Sequence, residues 1–190
     1  MESDGTPDRP SPPSTDSVRR QVVDVAAELM RGTGGPGGGA GQGDTMNVYL
    51  ALLTDRLPVY ARTMMNLESQ VGRATVEQNL TPAALATIQF YGQILAAKVS
   101  VFTRPDQLLQ LRRVLKARGL GPHNAYVAVS YYLDRERALG RVADDVDCTA
   151  SAQLLIGACV NYAFTRMLLD DVTPPEQFVE QAVRGLRLAP

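Results

Sequence analysis

The 190-residue sequence has no tryptophan, one histidine and two cysteines. Zinc sites are built mostly from His and Cys ligands, so the single histidine, His123, excludes a site with several His ligands. A Ser-His-Asp triad would depend on that same residue, which stands beside a Gly-Pro turn. The sequence therefore predicts no metal, no cofactor and no enzymatic activity, with His123 at the surface or at the rim of a pocket.

Long hydrophobic runs are also missing. None reaches the roughly 18 to 20 residues that a membrane span needs, and no signal-peptide segment opens the chain. The formal net charge is -1, so no chain-wide positive field favours nucleic acid or an anionic membrane. Cys148 and Cys159 are spaced to lie along one side of a helix, which favours buried thiols over a disulfide. These features predict a cytoplasmic protein with no membrane partner.

The first quarter of the chain changes character twice. Residues 1–15 are polar and contain four prolines, which predicts a disordered tail. Apolar residues then recur at helical spacing over 16–31, which predicts an amphipathic helix. Residues 32–43, GTGGPGGGAGQG, contain eight glycines and predict a flexible linker. They do not suit a phosphate-binding loop, because no Lys-Ser or Lys-Thr follows and no strand precedes.

The rest of the chain alternates helical stripes with Gly and Pro breaks. A long stripe begins at about residue 44, and Pro58 should kink or divide that helix. The next helix is predicted to start with Thr81 as its cap and Pro82 in its first turn. Further helices should begin near Pro105, near Pro122, at about residue 148 and after Pro175. With no alternating strand pattern, these segments predict an all-α protein of seven or eight helices.

The segment from about 148 to 170 is the most apolar. Asp145 or Asp147 should cap it. One apolar face comprises Ala152, Leu155, Ile156, Cys159, Ala163 and Phe164, and a second comprises Leu154, Ala158, Tyr162 and Leu169. A helix that is apolar on most sides has to be covered on most sides. A single small body has little left to cover the second face, which favours a homodimer.

Two parts of the chain resemble a known protein family. The stretch 100–190, above all YLDRERALGRVADDVD followed by LLIGACVNYAF, is similar to the C-terminal domain of TetR/AcrR-type regulators. RRQVVDVAAELMRGTG resembles the first helix of that family's DNA-binding domain. The resemblance implies a TetR-like ligand-binding domain over 44–190 that dimerises through a four-helix bundle. The implied dimer interface comprises Leu154, Ala158, Tyr162, Phe178, Ala182 and Leu186.

The resemblance also implies a cavity enclosed by the helices after residue 44. Soft Met and aromatic walls suit an apolar small-molecule effector. The predicted lining comprises Met64, Phe90, Tyr91, Phe102, Tyr126 and Asn161, with Gln89 and His123 available to orient the effector. The alternative for each aromatic or Met residue is an ordinary core position.

The chain departs from the family where the DNA-reading helices should stand. In the family about 30 residues after the first helix form two more helices, the second of which enters the major groove. Here residues 32–47 fill that interval; half of them are glycine, and they carry no Arg or Lys for phosphate contacts. DNA binding is therefore doubtful, and two functions stay open. The chain is a regulator that senses an apolar molecule, or a DNA-binding-deficient protein that heterodimerises with a full-length regulator.

Overall fold

The computed structural model describes Arg20, Asp24 and residues 42–102, 105–117, 123–170 and 172–189. Apart from the helical Arg20 and Asp24, the predictions for the tail 1–15, the helix 16–31 and the linker up to residue 41 fall outside these residues. Residues 42 and 43 were assigned to the linker but belong to the first described helix. The described part of the chain forms six helices and no strand, which confirms the all-α class. They are α1 (Gln42–Ser69), α2 (Val76–Phe102), α3 (Pro105–Ala117), α4 (His123–Ala138), α5 (Cys148–Leu168) and α6 (Pro175–Gly185).

Helix α2 is the centre of the fold, because it packs against each of the other five helices. Its residues are apolar or small around most of the helix, and Leu80, Ala84 and Thr87 are fully buried. Alanines at 83 and 84 let neighbouring backbones approach closely. The core therefore lies around α2 rather than between two layers.

The start of α2 corrects one prediction. The Thr75 hydroxyl accepts from the Gln78 backbone N–H at 3.1 Å, and the Gln78 side chain accepts from the Thr75 N–H at 3.1 Å. This reciprocal capping box satisfies two N–H groups that would otherwise lack partners. Thr81 is not the cap, because its hydroxyl donates to the Glu77 carbonyl one turn inside the helix. The T-x-x-Q spacing was present in the sequence and was missed.

Helix α1 continues through Pro58 and is not divided there. An interior proline costs about 3 kcal/mol in an isolated helix. Here Pro58 is itself buried, and the helix buries Leu53 before it and Tyr60 and Met64 after it. Packing on both sides of the proline holds one continuous helix.

Helix α5 begins at the second of the two predicted caps. The Asp147 carboxylate accepts from the N–H groups of Thr149 and Ala150, both at 2.9 Å. Of its first predicted face, all but Phe164 is buried. Phe164 is 42% exposed, because it stands about 140° further round the helix than Cys159. Tyr162, assigned to the second face, is buried instead.

The two cysteines are buried and free, as the sequence predicts. Their separation of three helical turns within α5 prevents them from pairing. Within the described ranges, no helix combines the length and apolar character needed to cross a membrane.

A buried polar network closes one end of the bundle. Glu136, near the end of α4, is fully buried. One carboxylate oxygen accepts from the Gly72 N–H at 3.1 Å, and the other lies 3.2 Å from the Arg141 guanidinium. Arg141 also donates to the carbonyls of Arg73 and Ala74. The network thus ties the turn between α1 and α2 to the turn after α4.

The same turn is held from inside by Asn79. Its side-chain amide donates to the carbonyls of Gln70 at 3.2 Å and Arg73 at 2.7 Å, and to the Tyr132 hydroxyl at 2.9 Å. Gly72 has a positive φ of 75°, a conformation that favours glycine. The turn is therefore specified by side chains from α2 and α4, together with Arg141 from the turn after α4.

Candidate functional site

Aromatic residues from α1 and α2 meet in the interior. We call this set the aromatic cluster: it comprises Tyr49, Tyr60, Met64, Phe90 and Tyr91, all buried. Tyr60 and Phe90 stack with ring centroids 4.5 Å apart and an interplanar angle of 3°. Phe90 and Tyr91 meet edge to face at 5.3 Å. Tyr60 and Met64 are one helical turn apart on α1, so both point toward α2.

One hydroxyl pair orients the aromatic cluster. The Thr87 hydroxyl donates to the Ala83 carbonyl at 2.8 Å. It lies 3.1 Å from the Tyr60 hydroxyl. Since the single Thr87 hydrogen is directed at Ala83, Tyr60 is the donor of the second bond. The cluster therefore combines apolar walls with a small number of hydroxyl groups, the composition typical of sites for mostly apolar ligands.

Burial keeps the hydroxyls and thiols of this region neutral. Burial, together with the nearby Tyr91, raises the pKa of Tyr49 to about 12. It also raises the pKa of Tyr60 and of Tyr91 above the ordinary value, and that of Cys159 to about 12. A neutral phenol or thiol is a poor nucleophile or base near neutral pH. The cluster is therefore poorly suited to acid–base catalysis.

These raised pKa values predict a loss of stability in alkali. Tyrosines and cysteines that stay neutral in the fold but ionise when unfolded stabilise the unfolded state as the pH rises. Stability should be fully present below about pH 9 and should fall as the pH passes from about 9 through 12. Urea unfolding at about pH 8 and about pH 11 measures the change. Tyrosinate absorbance from all seven tyrosines that develops at the ordinary pKa while the protein stays folded would contradict the prediction.

The structure brings three predicted lining residues together and separates the others. Met64, Phe90 and Tyr91 belong to the aromatic cluster. Tyr126 is half-buried on α4, with its ring centroid 6.4 Å from that of the exposed His123. Asn161 is exposed on α5. Phe102 is the last residue of α2, and its side chain lies outside the described residues.

Three residues of this region were absent from the predicted lining: Tyr49, Tyr60 and Thr87. The signal for Tyr60 was available, since it precedes Met64 by one helical turn. Thr87 carried no such signal. The sequence alone does not show that its hydroxyl contacts the Tyr60 hydroxyl of another helix.

A separate groove of about 510 Å³ lies between α2, the second half of α5 and the start of α6. This volume is within the range of small-molecule sites. Its apolar walls include Ile88 and Met167, and Gln89 is among its polar residues together with Arg166 and Glu176. Gln89, which the sequence analysis assigned to effector orientation, therefore lines this groove. Among the described residues, no group of three His, Cys, Asp or Glu side chains could hold a metal ion.

The solvent-facing side of α5 carries no charge. We call it the outer face: it comprises Ala150, Leu154, Gly157, Asn161, Phe164 and Leu168. Leu154 is 67% exposed and Leu168 is 62% exposed. Arg166 is the only charged residue of the helix, and it projects from the opposite side of α5. An apolar surface of this length on a helix is typical of a partner-binding face.

Five of the six predicted interface residues are at least partly exposed, and the sixth, Tyr162, is buried. Leu154 is on the outer face, and Ala158 is half-buried beside it. Phe178, Ala182 and Leu186 of the α6 region are half-buried. Tyr162 is engaged within the protomer, where its ring stacks on Phe178 at 4.4 Å and its hydroxyl donates to the Thr173 carbonyl. Tyr162 thus fixes α6 against α5.

Comparison of the chain with protein-family models, with curated proteins and with solved structures finds no match. The class that the fold and these sites define is an all-α protein with a buried aromatic cluster and an uncovered apolar helix face.

Proposed function

We propose that this chain is the effector-binding and dimerisation body of a TetR-type regulator. It acts as a homodimer through α5 and α6 and senses an apolar small molecule at the aromatic cluster. The observation that carries the proposal is the outer face of α5, which is uncharged and exposes three large apolar side chains, Leu154, Phe164 and Leu168.

A second copy of the chain is the occupant that best suits the outer face. In a two-fold dimer the same patch meets itself, so any charge on it would meet a like charge. The outer face has none. Burial of an exposed Leu contributes about 1.5–3 kcal/mol, and each copy brings Leu154 and Leu168. Phe178 and Ala182 on α6 lie next to α5, so two copies can form a four-helix arrangement.

The effector site rests on the aromatic cluster. An apolar molecule entering between α1 and α2 would replace contacts among Tyr60, Phe90 and Tyr91, and the Tyr60 hydroxyl could bind a polar group of that molecule. Such a ligand would displace α1, the helix that follows the glycine-rich segment. Effector binding would thereby change the position of whatever precedes α1, which is how a regulator of this kind couples two sites.

The glycine-rich sequence favours a second candidate. Eight glycines in residues 32–43 leave little room for a recognition helix, so the chain could pair through the outer face with a full-length regulator and inactivate it. A gel shift with the DNA that flanks its gene separates the two candidates. A shift favours the regulator, whereas no shift together with mixed dimers favours the heterodimerising protein.

Sedimentation velocity at micromolar concentration tests the homodimer. The wild-type chain should sediment as a dimer. Leu154→Glu should raise the dissociation constant by about 100-fold or more, because it buries two carboxylates against an apolar surface. Leu139→Glu is the matched control, since Leu139 is similarly exposed but stands in the turn after α4. A wild-type chain that sediments as a monomer would overturn the proposal.

A further inference from the structure

The groove between α2, α5 and α6 is separate from the aromatic cluster and from the outer face. No residue of either set is among the described residues that line it. Its volume of about 510 Å³ is within the range of sites for small molecules. The groove is therefore a second candidate site, and its own side chains define the ligand that it suits.

Contacts beside the groove hold its walls in place. Tyr162 stacks on Phe178 with ring centroids 4.4 Å apart, and its hydroxyl donates to the Thr173 carbonyl just before α6. Ala163, the next residue of α5, is buried and lines the groove. A ligand that enters a site with fixed walls does not have to order them, which lowers the free-energy cost of binding.

One cation and one anion line the groove, and they come from different helices. Arg166 is the only charged residue of α5, and Glu176 stands in the first turn of α6. Within the described part of the chain, neither side chain makes an ion pair. A guanidinium binds a carboxylate through two parallel hydrogen bonds, and a carboxylate accepts from an ammonium group. A ligand that carries both a carboxylate and an ammonium group is therefore complementary to the groove.

The remaining lining residues suit a ligand with apolar side chains and an amide. Ile88 and Met167 provide apolar walls, and a Met side chain adapts its shape to its neighbour. Gln89 and Gln93 both line the groove and are one helical turn apart on α2, so they share a face of that helix. Each side-chain amide offers donors and an acceptor, which match the N–H and C=O groups of a peptide bond.

We propose that this groove binds a small zwitterionic peptide with apolar side chains, of about the size of a dipeptide. The terminal carboxylate of the peptide pairs with Arg166, and its terminal ammonium group pairs with Glu176. The amides of Gln89 and Gln93 bind the peptide group, and the apolar side chains lie against the apolar walls. The proposal rests on neither the aromatic cluster nor the dimer, so its failure leaves the proposed function standing.

Titration of the ¹⁵N-labelled protein with L-leucyl-L-leucine, followed through its amide chemical shifts, measures the binding. Arg166→Gln and Glu176→Gln should each weaken the binding about 10-fold, because each removes one of the two charges that the peptide meets. Arg62→Gln and Glu68→Gln are the matched controls, since both residues are exposed on α1 and neither lines the groove. They should leave the affinity unchanged.

Modified peptides separate the two charge contacts. N-acetyl-leucyl-leucine lacks the ammonium group, so it should bind the wild-type chain about 10-fold more weakly and should not distinguish that chain from Glu176→Gln. Leucyl-leucinamide lacks the carboxylate and should likewise not distinguish the wild-type chain from Arg166→Gln. Glycylglycine keeps both charges but has no apolar side chain, and it should bind at least about 10-fold more weakly than leucyl-leucine.

Gly92 allows the groove to be filled without a change of charge. It lines the groove and is exposed, and a Cβ added there would meet no atom within 4 Å. Gly92→Leu should keep the fold, because leucine favours a helix more than glycine does. It should weaken the binding of leucyl-leucine at least about 10-fold by occupying the groove. Gly92→Ala, which fills far less of the groove, should change the affinity by less than about 3-fold.

Three results would overturn the proposal. The first is a wild-type chain that does not bind leucyl-leucine at about 10 mM. The second is binding that Arg166→Gln and Glu176→Gln weaken no more than Arg62→Gln and Glu68→Gln do, which would place the peptide elsewhere. The third is equally tight binding of N-acetyl-leucyl-leucine, which would show that the ammonium group is not recognised.

Discussion

Replacement of Glu136 by alanine is expected to lower the free energy of unfolding by about 3–5 kcal/mol. The carboxylate is fully buried, and it pairs with Arg141 at 3.2 Å and accepts from the Gly72 N–H at 3.1 Å. Its removal leaves a guanidinium without its anionic partner and a turn N–H without its acceptor. Urea unfolding followed by circular dichroism measures the loss.

Two control variants test whether the loss of stability in Glu136→Ala comes from the buried ion pair. Glu180→Ala removes an exposed ion pair with Arg184 and should cost less than about 1 kcal/mol. The double variant Glu136→Met with Arg141→Met should recover only the part of the loss that comes from the unpaired guanidinium, because the Gly72 N–H and the Arg73 and Ala74 carbonyls stay without these partners. A loss below about 1 kcal/mol for Glu136→Ala would show that the network contributes little to stability.

Phe90→Ala is expected to cost about 3–5 kcal/mol. The ring stacks on Tyr60 at 4.5 Å and meets Tyr91 at 5.3 Å, so its loss leaves a cavity lined by two aromatic rings. The variant should unfold at a lower urea concentration than the wild-type chain. The two should be compared at a protein concentration at which they have the same oligomeric state. A small apolar molecule such as benzene should restore part of the stability by filling the cavity.

Graded variants test whether Phe90 acts through packing. Tyr60→Phe keeps the stacked ring and removes only the hydroxyl that donates to Thr87, so it should cost about 1 kcal/mol. Val59→Ala, at an exposed neighbouring position of α1, should change stability by less than about 1 kcal/mol. If Phe90→Ala costs no more than Val59→Ala, the aromatic cluster is not a packed part of the core.

Part of the aromatic cluster could be predicted from residue type and helical period. Met64, Phe90 and Tyr91 were recognised because soft and aromatic residues recur on apolar helix faces. The Tyr60–Thr87 contact could not be predicted, since it joins α1 and α2 across a separation of 27 residues. Helical period identifies which residues share a face, but it carries no information about which two faces meet.

The outer face of α5 is a second case in which helical period does not identify the face that packs against the rest of the chain. The sequence indicates that α5 has two apolar faces, but it does not say which of them packs against the rest of the chain. Phe164 was assigned to the same apolar face as Leu155 and Cys159, and Tyr162 to the second face. The structure reverses both, because the side of α5 that packs against α2 and α4 is the buried one.

By itself, the sequence determined the features that depend on neighbours along the chain. These are the all-α class, the starts of α3, α4 and α6 near their prolines, the acidic start of α5 and the buried pair of thiols. Tertiary structure alone decided whether α1 continues through Pro58, that Glu136 is buried, and which side of α5 remains exposed. Each of these depends on the free energy of packing between segments distant in sequence, which outweighs local preferences of about 1–3 kcal/mol.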